Sequence, residues 1–413
     1  MSGGVSIPGL ATLRSIPIKV RLLVLSQIVN TLAFGYFLIY VSGYLVDIKV
    51  LDGGSVGLIF GIEGLVLIAA GIPLGLLSDK KGRKWFLILG NVLLPPTVII
   101  FAITHDFSLY LVAAVTAGVA EAASLSSWNA IIADQTEPGA RDAAFSLSFI
   151  VGNVGISAGL ALPLALPVLG NAFGVSLEVA HSQALLYIGI ASFFVPVLLF
   201  LLLRGYREKP KQAETSENSG DLRLLLKFSG MSGIIGLGAG LIIPLMGTWF
   251  LYKFAVPDIF SGPFLALSGM TIAFAALGSA WLSKRFGLFR SIVMTAGSST
   301  AFMASMAFIP NLFLAGGVYL VRASLMNMAA PLMDSYLMGI IHPGRRGLAS
   351  AISAIVWRLP NSISTIVGGY ILLLGFTSGN HLLYDAPWLG AAGLYVLGIS
   401  LLYTNFRNVK TKG

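Results

Sequence analysis

The sequence predicts an all-α integral membrane protein, with twelve transmembrane helices in two pseudo-symmetric six-helix bundles. Composition is the first reason. Of 413 residues, 56% are hydrophobic and only 10% are charged. That balance cannot cover a soluble domain and suits helices solvated by lipid. The placement of cations is the second. Of 26 Lys and Arg, only Lys49 and Lys253 fall in loops on one side of the membrane, and only Arg322 and Arg358 fall within spans. The others lie in loops and ends on the opposite side, which the positive-inside rule makes cytoplasmic. The net charge of +9 is therefore explained by basic loops, without a nucleic-acid partner. The third reason is an internal repeat at a constant offset. Gly35 falls on Gly240, Gly57 on Gly262, Gly64 on Gly269, Ser78 on Ser283 and Gly82 on Gly287. Pro138-Gly139-x-Arg141 falls on Pro343-Gly344-x-Arg346. Two parallel halves about a pseudo-two-fold axis are what such a repeat implies.

Each span is near the roughly 20 residues that a bilayer needs. The first six are expected at 20–46, 54–77, 84–104, 107–133, 142–168 and 183–204. The second six are expected at 226–252, 260–283, 290–309, 312–340, 347–375 and 384–405. Residues 1–204 form the first bundle, 205–224 a polar cytoplasmic linker and 225–413 the second bundle. Met1–Leu13 lacks a signal peptide's apolar core, and both termini are expected in the cytoplasm of a cell-membrane protein.

Between the second and third spans the chain reads Gly75-Leu-Leu-Ser-Asp79-Lys-Lys-Gly82-Arg83-Lys84. Gly82 supplies a tight backbone at low steric cost. The cations hold the hairpin at the cytoplasmic face, and Asp79 is an anion suited to a neighbouring helix N-terminus or a cation. The segment resembles the G-x-x-x-D-x-x-G-R-[KR] signature of the major facilitator superfamily (MFS). Asp134, Pro138 and Arg141 match the D-x-x-x-P-x-x-R exit from the fourth helix of that family. The resemblance implies the twelve-helix MFS fold, a multi-pass secondary transporter working by alternating access, and a cytoplasmic latch of Gly75, Asp79, Gly82, Arg83, Asp134 and Arg141. In it Asp79 is expected near Gly347 and Arg83 against Asp134. The repeat degenerates at this loop, with Lys284 in place of Asp79 and Leu288 in place of Arg83.

Charge inside a bilayer is costly and marks a pathway or a paired site. Glu63, Glu121, Arg322 and Arg358 lie within spans, with Asp334 nearer the cytoplasm. At 1.5 Å per residue, Glu121, Arg322 and Arg358 sit about 15 to 20 Å along their helices, near mid-membrane. The resemblance adds that helices 1, 4, 7 and 10 line the central cavity, with 2, 5, 8 and 11 beside it and 3, 6, 9 and 12 outside. The expected cavity residues are Asn30, Tyr36, Glu63, Glu121, Asn153, Arg322, Asn327, Arg358 and Asn361. Asn153 is the repeat partner of Arg358, so the two are expected to face each other. Fixed ion bridges and interhelical hydrogen bonds are the plainer reading of the same residues. Glycines crowd helix 7 before Pro244, which predicts a soft or broken helix, although small residues also serve close packing. Helix 5 has Gly152, Gly155 and Gly159. The drug-antiporter motif of that helix needs a proline where Leu160 stands, and an arginine where helix 4 has Ala114.

Without cysteine the chain has no thiol chemistry or Cys metal site. His105, His181, His342 and His381 are expected in loops and form no ligand cluster. No phosphate-binding loop or catalytic signature appears. The chain is expected to be no enzyme and to need no cofactor or metal. Its expected partners are the lipid bilayer, a small-molecule substrate and protons. Two arginines favour a polar or anionic solute. With all four mid-span charges ionised the sum is zero, so protonating Glu121 would leave room for one anion and favour symport. An efflux transporter for amphipathic or drug-like compounds is the alternative, and a non-transporting sensor of the same fold is a second.

Overall fold

A computed structural model describes residues 16–206, 219–341 and 346–409. The side chains of some helical residues, Asp79 and Arg141 among them, lie outside that description. Among the described residues there are helices and no strands. In chain order they are α1 (Ile18–Asp47), α2 (Gly53–Lys81), α3 (Arg83–Ile103), α4 (Phe107–Asp134), α5 (Pro138–Ala161, continued to Phe173) and α6 (Leu177–Leu202). Then follow α7 (Ser219–Gly240 and, after a break, Met246–Phe254), α8 (Asp258–Phe286), α9 (Leu288–Phe308), α10 (Leu312–Ile340), α11 (Arg346–Ser378) and α12 (Leu382–Phe406). Eleven of these are long and apolar enough to cross a membrane. The remaining one, α8, has 29 residues, about 44 Å of helix. The expected linker is partly helical, since α7 begins at Ser219. Its residues 207–218 lie outside the described residues, as does the repeat segment 342–345.

Local chemistry sets the ends of the helices. Asp52 accepts from the amide of Ser55 (2.7 Å) to start α2, and Asp106 from Ser108 (2.8 Å) to start α4. Asn311 does the same for α10. Each satisfies an amide that a helix start leaves open. The turns after α2 and α8 use repeat-related glycines, Gly82 at φ 111° and Gly287 at φ 85°, where a side chain would be strained.

The repeat is also a repeat of contacts. A methyl group on Gly35 of α1 would meet the carbonyl oxygen of Ile156 on α5, and one on Gly240 of α7 would meet that of Asn361 on α11. A methyl on Gly57 of α2 would lie 2.7 Å from the carbonyl oxygen of Thr365 on α11, and one on Gly262 of α8 would meet that of Leu160 on α5. Gly64 packs on the Ser362 hydroxyl, and Gly269 on the Ser157 hydroxyl. All six glycines and all six partners obey the offset found in the sequence. The glycines are conserved between the halves because backbone meets backbone there.

Among the described residues, the contacts that join the two halves gather toward one end. The end carrying the α2–α3 loop is called the basic end here, and the opposite one the far end. At the far end a single buried core runs through α1, α2, α7, α8 and α12. Thr248 of α7 donates to the carbonyl of Ser42 in α1 (2.7 Å), and the Tyr252 hydroxyl accepts from the amide of Gly53 (3.0 Å). At the basic end the first half has its own core, including Val20, Leu87, Ile131 and Leu199. Gly71 of α2 and Gly152 of α5 have nothing within 4 Å of where a side chain would start. Among the described residues, the molecule is therefore closed at the far end and open at the basic end.

Helix α7 breaks where proline demands it. Pro244 lacks the amide that a continuous helix needs, and Ile242 leaves helical geometry at φ −142°. The glycines before it are not the break. Gly233 and Gly236 face the carbonyls of Val356 and Trp357 on α11, so they bring α7 and α11 together.

Candidate functional site

Three charged side chains meet where the two halves part. Arg358 of α11 donates from Nη1 to Glu121 Oε1 on α4 at 3.0 Å. This ion pair crosses between the halves, and both side chains are a little over one-third exposed (37% and 38%). It is thus an ion pair open to water in the cavity and worth little as a clamp. Glu63 of α2 lies close enough to feel both charges. Among the described residues no hydrogen bond or ion pair is seen for the Glu63 carboxylate.

Around Glu63 and Glu121 lies a cavity of about 220 Å³, lined also by Gln27, Asn30, Thr31, Asn91 and Ser124. Asn30 donates to Asn91 at 2.6 Å, and Asn91 donates to the carbonyl of Leu87 at 2.8 Å. The Asn30 side-chain oxygen and the Gln27 side-chain nitrogen are buried without a partner, a costly state that a polar guest relieves. On the other side of Arg358 a second cavity of about 420 Å³ is lined by Phe228, Met326, Met333, Trp357 and Asp334.

A sequence model of the Major Facilitator Superfamily matches residues 23–365. The chain belongs to that superfamily. A bacterial homologue of the human lysosomal transporter Spinster, solved inward-facing and occupied, superposes with TM-score 0.75 at 15% identity, covering 94% of this chain and 96% of its own. The nucleoside transporter NupG does so with TM-score 0.69 at 17% identity over 95% of this chain and 100% of its own. The human organic anion transporter MFSD10 follows at 0.62 and 18%, over 94% and 100%. At such identities the likeness is one of fold. No curated protein matches the sequence.

At the superfamily's loop signature, Arg83 donates to Asp134 Oδ2 at 3.0 Å, and both side chains are nearly buried. Tyr206, beyond the end of α6, donates to the same oxygen at 2.5 Å. Burial and the neighbouring Asp134 push its phenol up, so it remains a donor. Both ionic partners belong to the first half, and the pair is intact while the basic end is open. The pair ties α3 to α4 within the first half. Gly75 accepts from the Ser78 hydroxyl (2.9 Å) inside α2. The expected place of Asp79 near Gly347, and the role of Arg141, lie outside the described residues.

Of the other expected cavity residues, Arg322 and Tyr36 are buried away from it, and the asparagines are bonded to helix carbonyls. Arg322 does not face the central cavity. It is 5% exposed and points into the second half, where it donates to the Tyr395 hydroxyl of α12 at 3.1 Å and sits over that ring. Tyr36 is fully buried at the far end against His181. Asn153 does not meet Arg358 but donates to Phe149 in its own helix (2.9 Å), and Asn327 likewise to Ala323 (2.8 Å). Asn361 donates to the Gly236 carbonyl of α7 (3.1 Å), a bond within the second half.

Sequence reasoning missed Asn91 and His181. Asn91 lies on α3, a helix expected on the outside. His181 was expected in a loop, yet α6 begins at Leu177, and the residue is buried in the helix. The signal was present: Ser176 caps α6 with its hydroxyl (3.3 Å to the amide of Val179), and Glu178 follows in the first turn, a helix-start pattern.

Proposed function

We propose that this superfamily member is a secondary transporter that moves a small amphipathic organic cation by alternating access, in exchange for protons. The basic end is placed in the cytoplasm by its excess of Lys and Arg, so the state described here opens inward. The observation that carries the reading is the ion pair between Glu121 and Arg358, made across the two halves and left half-open, with unbonded Glu63 beside it.

Charge decides the class of solute. Expecting an anion depended on two arginines in the cavity, and Arg322 is turned away from it. Two carboxylates against one guanidinium leave one surplus negative charge, and Asp334 adds another in the adjoining cavity. A cation or a proton complements such a site, and each displaces the other. Phe228, Trp357, Met326 and Met333 offer soft apolar surface for the body of an organic cation. Competition for one negative charge makes the process an exchange, because the empty carboxylate returns with a proton. Arg358 holds Glu121 by a direct bond, so the proton goes to Glu63. The surrounding amides of Gln27, Asn30 and Asn91 orient the polar part of the solute.

Thermal unfolding of the purified protein tests this against a panel of quaternary ammonium compounds, nucleosides and organic anions at two pH values. A cation at a hundred times its dissociation constant should stabilise the fold by about 2.7 kcal/mol, and less at the lower pH, where protons compete. Stabilisation by anions alone would overturn the assignment of substrate class.

A further inference from the structure

The far-end closure contains charge chemistry that the transport site does not use. His181 of α6 and Asp258 of α8 belong to different halves, and both are buried (2% and 3% exposed). Their Nδ1 and Oδ2 atoms are 3.8 Å apart. Among the described residues, that carboxylate oxygen has no hydrogen-bond partner. The Tyr36 hydroxyl lies 3.0 Å from the same ring nitrogen and donates to the His181 carbonyl at 3.1 Å. With its proton given to that carbonyl, the Tyr36 oxygen is an acceptor facing Nδ1. The ring nitrogen thus faces two acceptors, one of them a carboxylate. The Tyr44 ring stacks on the imidazole, with ring centres 3.9 Å apart. Tyr40 stands beside it from α1 and bonds Ser182 at 3.5 Å.

From this geometry we infer that His181 and Asp258 hold one proton between them when the far end is closed, making the closure itself a proton-binding site separate from Glu63 and Glu121. An ionised aspartate beside a neutral imidazole would bury an unpaired negative charge, which is prohibitively costly. One proton removes that charge, either on the imidazole or on the carboxyl. The other titratable groups facing the pair are Tyr36, Tyr40, Tyr44 and Asp47 on α1 and Glu178 on α6. None is a cation, so among the described residues none of these neighbours balances the carboxylate in the proton's place.

The close contacts show that the pair must part when the far end opens. The Asp258 side chain packs 3.0 Å from where a side chain on Gly43 would begin, so α8 and α1 separate only by exposing it. In water the carboxyl loses its proton and the imidazole titrates near about 6.5. Above that pH closing takes up one proton, and opening releases it to the outside. The closed-to-open ratio should therefore fall by up to about tenfold per pH unit above about 6.5, and level off below it.

The chain has no cysteine, so two spin labels can be placed cleanly at His105→Cys on the first half and Ser378→Cys on the second. Distances between them, measured on the full protein in nanodiscs without substrate across a pH series, report the far end directly. The expected result is a shift toward the longer distance at alkaline pH, abolished in Asp258→Asn; in His181→Gln, where Asp258 alone must take up the proton on closing, the shift should begin at a lower pH, toward the free carboxyl range. Tyr36→Phe, which keeps the ring and removes one acceptor, should move the midpoint without abolishing it. The response should survive in Glu63→Gln with Glu121→Gln. A pH-independent distance in the parent overturns the inference, as does an alkaline response kept by Asp258→Asn, a response in His181→Gln with the parent's midpoint, or one lost in the cavity double variant. The readout needs no transport, so failure of the organic-cation reading would leave it standing and separately decided.

Discussion

The α2–α11 seam and the α8–α5 seam are the same structure built twice. Gly57 and Gly64 pack on Thr365 and Ser362 in one, and Gly262 and Gly269 pack on Leu160 and Ser157 in the other. Their polar equipment differs completely. Beside the first seam stand Glu63, Glu121 and Arg358. Their repeat partners beside the second are Ser268, Met326 and Asn153. Ser268 and Asn153 bond within their own helices, and Met326 lines the apolar part of the larger cavity. Packing has been kept in both halves because each seam must close the far end by the same close approach. Charge stands beside one only, as the proposed exchange of one cation for one proton at a single surplus carboxylate would require. The site for chemistry is found where the two copies disagree.

The strongest test of the duplicated packing is steric. Gly57→Leu and Gly262→Leu each drive a side chain into the backbone of the opposing half, which cannot give way as a flexible side chain does. Overpacking of this kind costs about 1–3 kcal/mol. Both should hold the far end open and lower transport by about tenfold or more, with similar effect. Gly71→Leu on the same α2, where nothing lies within 4 Å, should leave the far-end distance between spin labels unchanged. A harmless Gly262→Leu beside a crippling Gly57→Leu would show that the seams are not mechanically equivalent.

A charge variant should split the seams. Arg358→Gln removes the cation nearest the carboxylates, so an organic cation should bind about tenfold more tightly, equivalent to about 1.4 kcal/mol. Isothermal titration at fixed pH measures this. Weaker binding would mean that Arg358 itself contacts the solute. The smallest effect is expected from Asn153→Ala at the corresponding place in the second seam. It removes a bond to its own helix and should change affinity by less than about twofold, in line with an interhelical contribution well under 1 kcal/mol.

Much of this was legible in the sequence because it repeats. Offset and cation placement suffice for two halves of six spans, and the loop signature placed Arg83 beside Asp134. Arg322 was misjudged although its depth was right. Counting residues gives depth along a helix, but the direction a side chain faces turns by about 100° at each step. In a membrane helix that is apolar all round, no polar stripe marks which face looks inward. Arg358 lies at similar depth and does reach the cavity, so depth alone could not separate the two. His181 was lost to a helix that begins six residues earlier than its hydropathy suggests, where a cap rather than an apolar run marks the start. The linkage of Asn30 to Asn91 was hidden because α3 was expected on the outside, yet it buries Asn91 and Thr97.

The most direct test of the account is proton-driven movement of an organic cation in proteoliposomes, comparing the parent chain with Glu63→Gln. The glutamine keeps the shape of the side chain but fixes it uncharged. If Glu63 carries the exchanged proton, accumulation driven by a pH gradient should be lost in the variant, while cation-for-cation exchange at equal concentrations survives. Accumulation that still follows the pH gradient in Glu63→Gln would contradict it.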